Sequence, residues 1–233
     1  MAEGSSREPE IVFLLDVDNT LLDNDRVRGD LAAQIRELVD DERAERFWFI
    51  YEQVRDERDF VDYPWTLARF HAAYPDERAY PEIARIVLSH PYENYLFPRV
   101  RETLAHLRQL GRVVILSDGD PVYQPAKIAR AGLHAAAEGN VLVFAHKEAH
   151  LGDVQRLFPA PRYALVDDKP RVLAAAKDVL GERLVTVHVC QGKYAHAEEH
   201  RTYPDADRTY ETIGELAGVT LHDLLLPADR GTM

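Results

Sequence analysis

The chain has 233 residues, 46% of them hydrophobic and 29% charged, which is typical of a globular protein and excludes a disordered or fibrous one. Its 28 Lys and Arg against 40 Asp and Glu give a formal net charge of −12 with scattered basic residues, which excludes nucleic acid as an expected partner. A single cysteine, Cys190, and a polar beginning without an apolar signal segment fit a cytoplasmic protein with no membrane partner. The sequence gives no indication of the oligomeric state.

Five short apolar runs, rich in β-branched residues, predict buried strands. They cover residues 11–15, 113–116, 141–144, 163–166 and 184–189. Helical patterns lie between the later runs, and one of them, from Val100 to Leu110, ends at the stop signal Gly111. Strands that alternate with helices are typical of right-handed βαβ crossovers, so we predict an α/β fold with a parallel sheet covered on both faces.

The region between the first and second runs does not follow this alternation. It contains four helical patterns, at 30–39, 42–58, 65–74 and 81–90, separated by prolines and without a convincing strand. The aromatic residues of these patterns have the spacing of a buried helix face. We therefore predict a core formed by residues 1–24 and 98–233 and an inserted helical cap formed by residues 25–97.

Acidic and hydroxyl side chains follow three of the predicted strands. In a parallel sheet, ligands bind beyond the carboxyl ends of the strands, so these side chains are expected at one edge. Adjacent carboxylates repel one another unless a cation or hydrogen bonds compensate, and oxygen ligands favour a hard divalent cation. The sequence therefore predicts a Mg²⁺ site. The side chains concerned are Asp16, Asp18, Ser117, Asp118, Asp167 and Asp168.

These residues also resemble the ordered motifs of the haloacid dehalogenase-like hydrolase superfamily. Residues 16–20 match its first motif, Asp-x-Asp-x-Thr, and Ser117 matches the hydroxyl that ends the next core strand. Lys147 matches the lysine of the third motif, and Asp167 with Asp168 matches the acidic pair of the fourth. The resemblance implies a Rossmann-like core with the strand order 5-4-1-2-3.

The resemblance further implies a phosphatase acting on a small phosphorylated metabolite. Asp16 would be the nucleophile, and Asp18 would be the general acid and base. Ser117 and Lys147 would be catalytic and would bind the phosphoryl group, together with Asp118 and the loop of Asn19 and Thr20. The metal ligands would come from Asp16, Asp18, Asp167 and Asp168.

Several alternatives stay open at the level of sequence. Lys127 and Lys169 compete with Lys147 for the third motif, because Lys147 precedes Glu148 and not the proline often found there. Within the same superfamily, a haloacid dehalogenase and a phosphomutase are alternative activities, although a halide leaves without a proton and Asp18 therefore favours a phosphoester. A phosphoacceptor module of the receiver type is the non-enzymatic alternative.

Overall fold

A six-stranded parallel sheet forms the centre of the computed structural model, which describes residues 10–193 and 202–225. The strands are β1 (Ile11–Leu15), β2 (Arg112–Asp118), β3 (Val141–Phe144), β4 (Arg162–Asp167), β5 (Leu184–Val189) and β6 (Arg208–Tyr210). Their order in the sheet is β3-β2-β1-β4-β5-β6. This confirms the α/β fold and the predicted order of the first five strands.

The core lies on both faces of this sheet. Every side chain of β1 is buried. Phe13 and Leu15 belong to an apolar cluster that also includes residues of the inserted helices, whereas Val12 and Leu14 belong to the cluster on the opposite face. Burial on both faces explains why the strands are continuous apolar runs in the sequence and show no alternation of polar and apolar residues.

Five α-helices and a short 3₁₀ helix lie between β1 and β2, and the first four of them and the 3₁₀ helix form the insertion. The insertion consists of α1 (Asn24–Leu38), α2 (Asp41–Arg58), α3 (Tyr63–Ala73), α4 (Tyr80–Leu88) and the 3₁₀ helix Tyr92–Tyr95. The predicted helical insertion is therefore confirmed. The remaining α-helices of the described chain are α5 (Val100–Leu110), α6 (Tyr123–Arg130), α7 (Leu133–Ala136), α8 (Leu151–Leu157), α9 (Pro170–Leu180) and α10 (Leu221–Leu225).

Helix α1 begins at Asn24, earlier than the predicted start at residue 30. The reason is capping from two side chains. The Asn19 Oδ1 atom accepts hydrogen bonds from the backbone N–H groups of Asn24 (3.1 Å) and Asp25 (3.3 Å). Asp23 accepts a further bond from the backbone N–H of Arg26 at 3.0 Å. These bonds satisfy N–H groups that a helix otherwise leaves unpaired, so a polar segment is helical without apolar periodicity.

Two segments connect the sheet to the inserted helices, and these two crossings lie side by side. Leu22 forms an antiparallel bridge with Leu96. The backbone N–H of Asp23 donates to the Tyr95 carbonyl at 2.8 Å, and that of Phe97 donates to the Leu21 carbonyl at 3.0 Å. The domain boundaries at residues 24 and 98 stay a prediction, and both lie close to this paired crossing.

Strand β6 is missing from the sequence prediction. It has only three residues, Arg208–Tyr210, none of them fully buried, so no apolar run marks it. Hydrogen bonds to the Asp207 side chain hold it beside β5. The Asp207 Oδ2 atom accepts hydrogen bonds from the backbone N–H of Thr186 (2.8 Å), from the Thr186 hydroxyl (3.0 Å) and from the Lys177 ammonium (2.8 Å).

We expect Asp207→Asn to destabilise the protein in a pH-dependent way. Burial alone would raise the pKa of Asp207, but hydrogen bonds from Lys177 and Thr186 outweigh it and lower this pKa. The stabilisation is therefore present above the ordinary carboxyl pKa of about 4 and is lost as the pH falls through the lower folded-state value. At pH 7 the loss should be about 1 kcal/mol, since the carboxylate is partly exposed.

Urea unfolding of the wild type and the variant at neutral and at acidic pH measures this difference. Asp205→Asn is the matched control, because Asp205 is an exposed acid two residues away. A stability difference that stays constant down to pH 3 would contradict the assignment to the Asp207 carboxylate.

No helix among the described residues is long and apolar enough to cross a membrane.

Candidate active site

The loop that follows β1 is held tightly at the carboxyl edge of the sheet. The backbone N–H of Asp16 donates to the Val166 carbonyl at 3.0 Å, which extends the pairing of β1 with β4. The chain then turns through Asn19, whose φ of 62° lies in the left-handed region. Gly192 packs against this turn, because a Cβ atom there would lie only 2.5 Å from the Cβ of Asn19. A side chain at Gly192 would therefore displace the loop.

Lys147 forms ion pairs with one carboxylate of the first motif and one of the fourth. Its ammonium lies 2.5 Å from Asp16 Oδ1 and 2.6 Å from Asp167 Oδ2, and the side chain is only 1% exposed. The backbone N–H of Lys147 donates to the Asp118 carboxylate at 2.7 Å, which fixes the start of the 3₁₀ helix Lys147–His150. Burial alone would lower the pKa of Lys147, but the carboxylates of Asp16 and Asp167 raise it well above its usual value.

Three buried carboxylates converge beside this lysine. One oxygen each from Asp16, Asp167 and Asp168 lies within 4.8 Å of the others. Among the described residues, Asp16 Oδ2 and both oxygens of Asp168 have no hydrogen-bond partner. Burial raises the pKa of Asp167, and burial together with the charge of Asp167 raises the pKa of Asp168 well above its usual value. Such oxygens without a hydrogen-bond partner fit a hard divalent cation, whose charge would add to that of Lys147 and Lys169 near these carboxylates.

Asp18 lies apart from these three carboxylates. Its Oδ1 atom pairs with the Lys127 ammonium, and its Oδ2 atom accepts a hydrogen bond from the Gln124 side-chain amide at 3.0 Å. The same amide donates to the Ser117 hydroxyl at 3.0 Å. Both oxygens of the Asp18 carboxylate are therefore engaged by groups on α6. The role of Asp18 as a metal ligand stays a prediction. Ser117 is 1% exposed and also donates to the Asp118 carbonyl at 3.3 Å.

The loop residues Asn19 and Thr20 were predicted to bind substrate. The Asn19 side chain caps α1, as described above, and Asn19 is 2% exposed. Thr20 is fully buried, and its hydroxyl has no hydrogen-bond partner among the described residues. Their contact with substrate stays a prediction.

A cavity of about 480 Å³ opens between this edge of the sheet and the inserted helices. Asp18, Asp118 and Gly119 line it from the sheet side, and Arg28 and Tyr51 line it from α1 and α2. The Arg28 guanidinium lies 5.1 Å from the centre of the Tyr51 ring. It also pairs with Glu52 at 2.5 Å, outside the cavity lining. The lining is mostly polar, and the inserted helices contribute both basic and acidic side chains to it, among them Arg28, Arg55 and Asp56.

Sequence reasoning missed Gln124 as a site residue and treated Lys127 only as an alternative to Lys147. Both lie on the buried face of α6, with Tyr123 and Ile128. A lysine and a glutamine at positions where an amphipathic helix otherwise has apolar residues were the available signal, because such groups are buried only when paired. Arg28 carried no comparable signal.

The fold and the buried carboxylates define a candidate active site at the carboxyl edge of a parallel α/β sheet with a helical insertion. The sequence profile of haloacid dehalogenase-like hydrolases matches residues 12–189. The chain therefore belongs to the haloacid dehalogenase-like hydrolase family. The helical insertion between β1 and β2 is consistent with the C1 type of cap in that family.

A crystal structure described as a haloacid dehalogenase-like hydrolase of Burkholderia xenovorans is 42% identical, with a TM-score of 0.85. The match covers 91% of this chain and 99% of that one. No curated protein matches the chain.

Two more distant structures share the fold. L-2-haloacid dehalogenase from Xanthobacter autotrophicus is 19% identical with a TM-score of 0.58, and the match covers 88% of this chain and 96% of that one. The HAD hydrolase YfnB from Bacillus subtilis, described as bound to magnesium, is 14% identical with a TM-score of 0.59. That match covers 94% of this chain and 100% of YfnB.

Proposed function

We propose that this hydrolase is a Mg²⁺-dependent phosphatase that acts on a small phosphomonoester through an aspartyl phosphate on Asp16. The observation that carries the proposal is the position of Asp18. Gln124 connects its carboxylate to Ser117, with a distance of 3.0 Å on each side. This carboxylate lines the cavity and follows Asp16 by two residues in the loop after β1. The departure of an alkoxide requires such a proton donor, whereas the departure of a halide does not.

The first half of the reaction transfers the phosphoryl group to the protein. An oxygen of the Asp16 carboxylate attacks phosphorus, and the bond between phosphorus and the ester oxygen breaks. Asp18 enters this step protonated and gives its proton to the leaving oxygen, so that an alcohol departs; the carboxylate that results is the form that pairs with the Lys127 ammonium. Lys147, which lies 2.5 Å from Asp16, and the Ser117 hydroxyl would stabilise the oxygens of the transferred group.

The second half regenerates the enzyme. Asp18, now a carboxylate, takes a proton from water as this water attacks phosphorus. The bond between phosphorus and the Asp16 oxygen breaks, and inorganic phosphate leaves. Asp16 is again a free carboxylate and Asp18 is again protonated, so protons and bonds balance over one cycle.

Mg²⁺ is the proposed cofactor. Asp16, Asp167 and Asp168 would hold it, since their oxygens converge and three of these oxygens have no hydrogen-bond partner in the described chain. The cation would neutralise negative charge on the phosphoryl oxygens. That the distant relative YfnB is described as bound to magnesium supports this choice of metal.

The cavity supports a small substrate. Its volume of about 480 Å³ falls in the range of sites that enclose small molecules. Arg28 and Tyr51 on the cap side provide one charged and one aromatic contact for the leaving group. We propose a small phosphorylated metabolite as the partner and no nucleic acid or membrane.

A paired assay tests the proposed reaction against dehalogenation. The purified protein with Mg²⁺ is given phenyl phosphate, p-nitrophenyl phosphate or L-2-chloropropionate, and phosphate and chloride release are measured. We expect phosphate from both esters and no chloride, because Asp18 is needed only where the leaving group takes a proton. Chloride release without phosphate release would overturn the proposal in favour of a dehalogenase.

A further inference from the structure

We propose that Lys127 is a positioning residue that holds Asp18 in its working orientation and ties it to both crossings between sheet and cap. Lys127 lies on α6, outside the motifs that define the family, and it is 4% exposed. The part of the inference that concerns Asp18 rests on the proposed function. The part that concerns the two crossings does not depend on that function.

The contact with Asp18 is direct. The Lys127 ammonium pairs with Asp18 Oδ1, while Gln124 holds Oδ2 of the same carboxylate. Lys127 and Gln124 lie one turn apart on the same helix, so their donors approach from one side. Two fixed donors, one for each oxygen, define the plane of the carboxylate, which a single donor would leave free to rotate.

The contact with the cap is equally specific. The Lys127 ammonium donates to the side-chain oxygen of Asn24 at 2.9 Å, and Asn24 is the first residue of α1. The same ammonium lies 5.7 Å from the centre of the Tyr92 ring, and Tyr92 begins the 3₁₀ helix before the second crossing. Lys127 thus contacts the first crossing through a hydrogen bond and the second through a cation–π interaction.

The surroundings of Tyr92 make this a rigid point of contact. The Tyr92 hydroxyl is hydrogen-bonded to the Tyr123 hydroxyl, and Tyr123 lies on α6 one turn before Lys127. Tyr123 also packs against Tyr63 of α3, with ring centres 5.2 Å apart. Burial raises the pKa of Tyr92 to about 12, so this hydroxyl stays neutral. A change in cap position must therefore change the surroundings of the Lys127 ammonium.

Lys127→Met tests the inference, because it keeps the aliphatic stem and removes the ammonium. With phenyl phosphate we expect kcat to fall about 10- to 100-fold while KM changes by less than about 3-fold, the signature of a misplaced proton donor. Arg130→Met is the matched control, since it removes an exposed charge from the same helix, and both constants should keep their wild-type values. If Lys127→Met does not fold, as judged by thermal unfolding, Lys127→Gln takes its place.

The same substitution in an Asp18→Asn background decides whether Lys127 acts through Asp18. We expect Lys127→Met to change the rate of that variant by less than about 2-fold, because the carboxylate it would position is gone. An equal loss in both backgrounds, or a wild-type kcat in the single variant, would overturn the inference. Absence of phosphatase turnover in the wild type would instead overturn the proposed function.

Hydrogen exchange tests the connection to the cap independently of activity. We expect the backbone amides of residues 22–27 to exchange at least about 3-fold faster in Lys127→Met than in the wild type, and not in Arg130→Met. Exchange at these residues equal to that of the wild type would overturn the connection between Lys127 and the crossings.

Discussion

Asp16→Asn is expected to abolish phosphatase turnover, because an amide cannot form the acyl phosphate. The fold should tolerate the change, since Asn has nearly the same volume and Lys147 keeps its contact with Asp167 at 2.6 Å. The measurement is phosphate release from p-nitrophenyl phosphate and phenyl phosphate with Mg²⁺, together with thermal unfolding to confirm that the variant is folded.

Asp18→Asn should lower turnover without abolishing it. Loss of the general acid and base is expected to lower kcat by about 10² to 10⁴, and more for phenyl phosphate than for p-nitrophenyl phosphate, whose phenolate leaves more readily without a proton. Water attack on the intermediate is also slowed, so labelled phosphate should be trapped on Asp16 after an acid quench. Label on another residue, or turnover by Asp16→Asn, would show that Asp16 is not the nucleophile.

Removal of divalent cations is also expected to have a large effect on turnover. Exhaustive chelation should abolish turnover, and Mg²⁺ should restore it, because the phosphoryl oxygens would otherwise face the carboxylates of Asp16, Asp167 and Asp168. Full activity after chelation would exclude the metal site.

Asp168→Asn separates metal binding from folding. Without metal, this variant should be more stable than the wild type by about 1 to 3 kcal/mol, because it removes a buried carboxyl whose oxygens have no hydrogen-bond partner in the described chain. With Mg²⁺, the order should reverse, since binding to the folded state stabilises the wild type alone. Thermal unfolding with and without Mg²⁺ measures both effects.

Asp178→Asn provides the control for this comparison. Asp178 is an exposed acid on α9, the helix that follows Asp168, so its substitution should change neither the metal-free stability nor the Mg²⁺ response. Equal Mg²⁺ stabilisation of Asp168→Asn and the wild type would show that Asp168 is not a ligand.

The predicted strands and their order were accurate because a parallel sheet buried on both faces produces continuous apolar runs, as in β1. The ordered motifs also predicted which strand ends meet. Asp16, Asp167 and Lys147 converge in the structure as the resemblance implied, although their catalytic roles stay predictions. Strand β6 and the first turn of α1 were missed, because polar hydrogen bonds from Asp207 and Asn19 and not apolar periodicity determine them.

The sequence by itself determined the sheet, the helical insertion and the clustering of acids at one edge, since these follow from local apolar patterns and from the geometry of parallel strands. Only the tertiary structure decided which lysine contacts which carboxylate: Lys147 lies between Asp16 and Asp167, whereas Lys127 pairs with Asp18. Spacing along the chain does not encode such pairs, because they join β1, α6 and the 3₁₀ helix before α8, and their distances depend on how these elements pack.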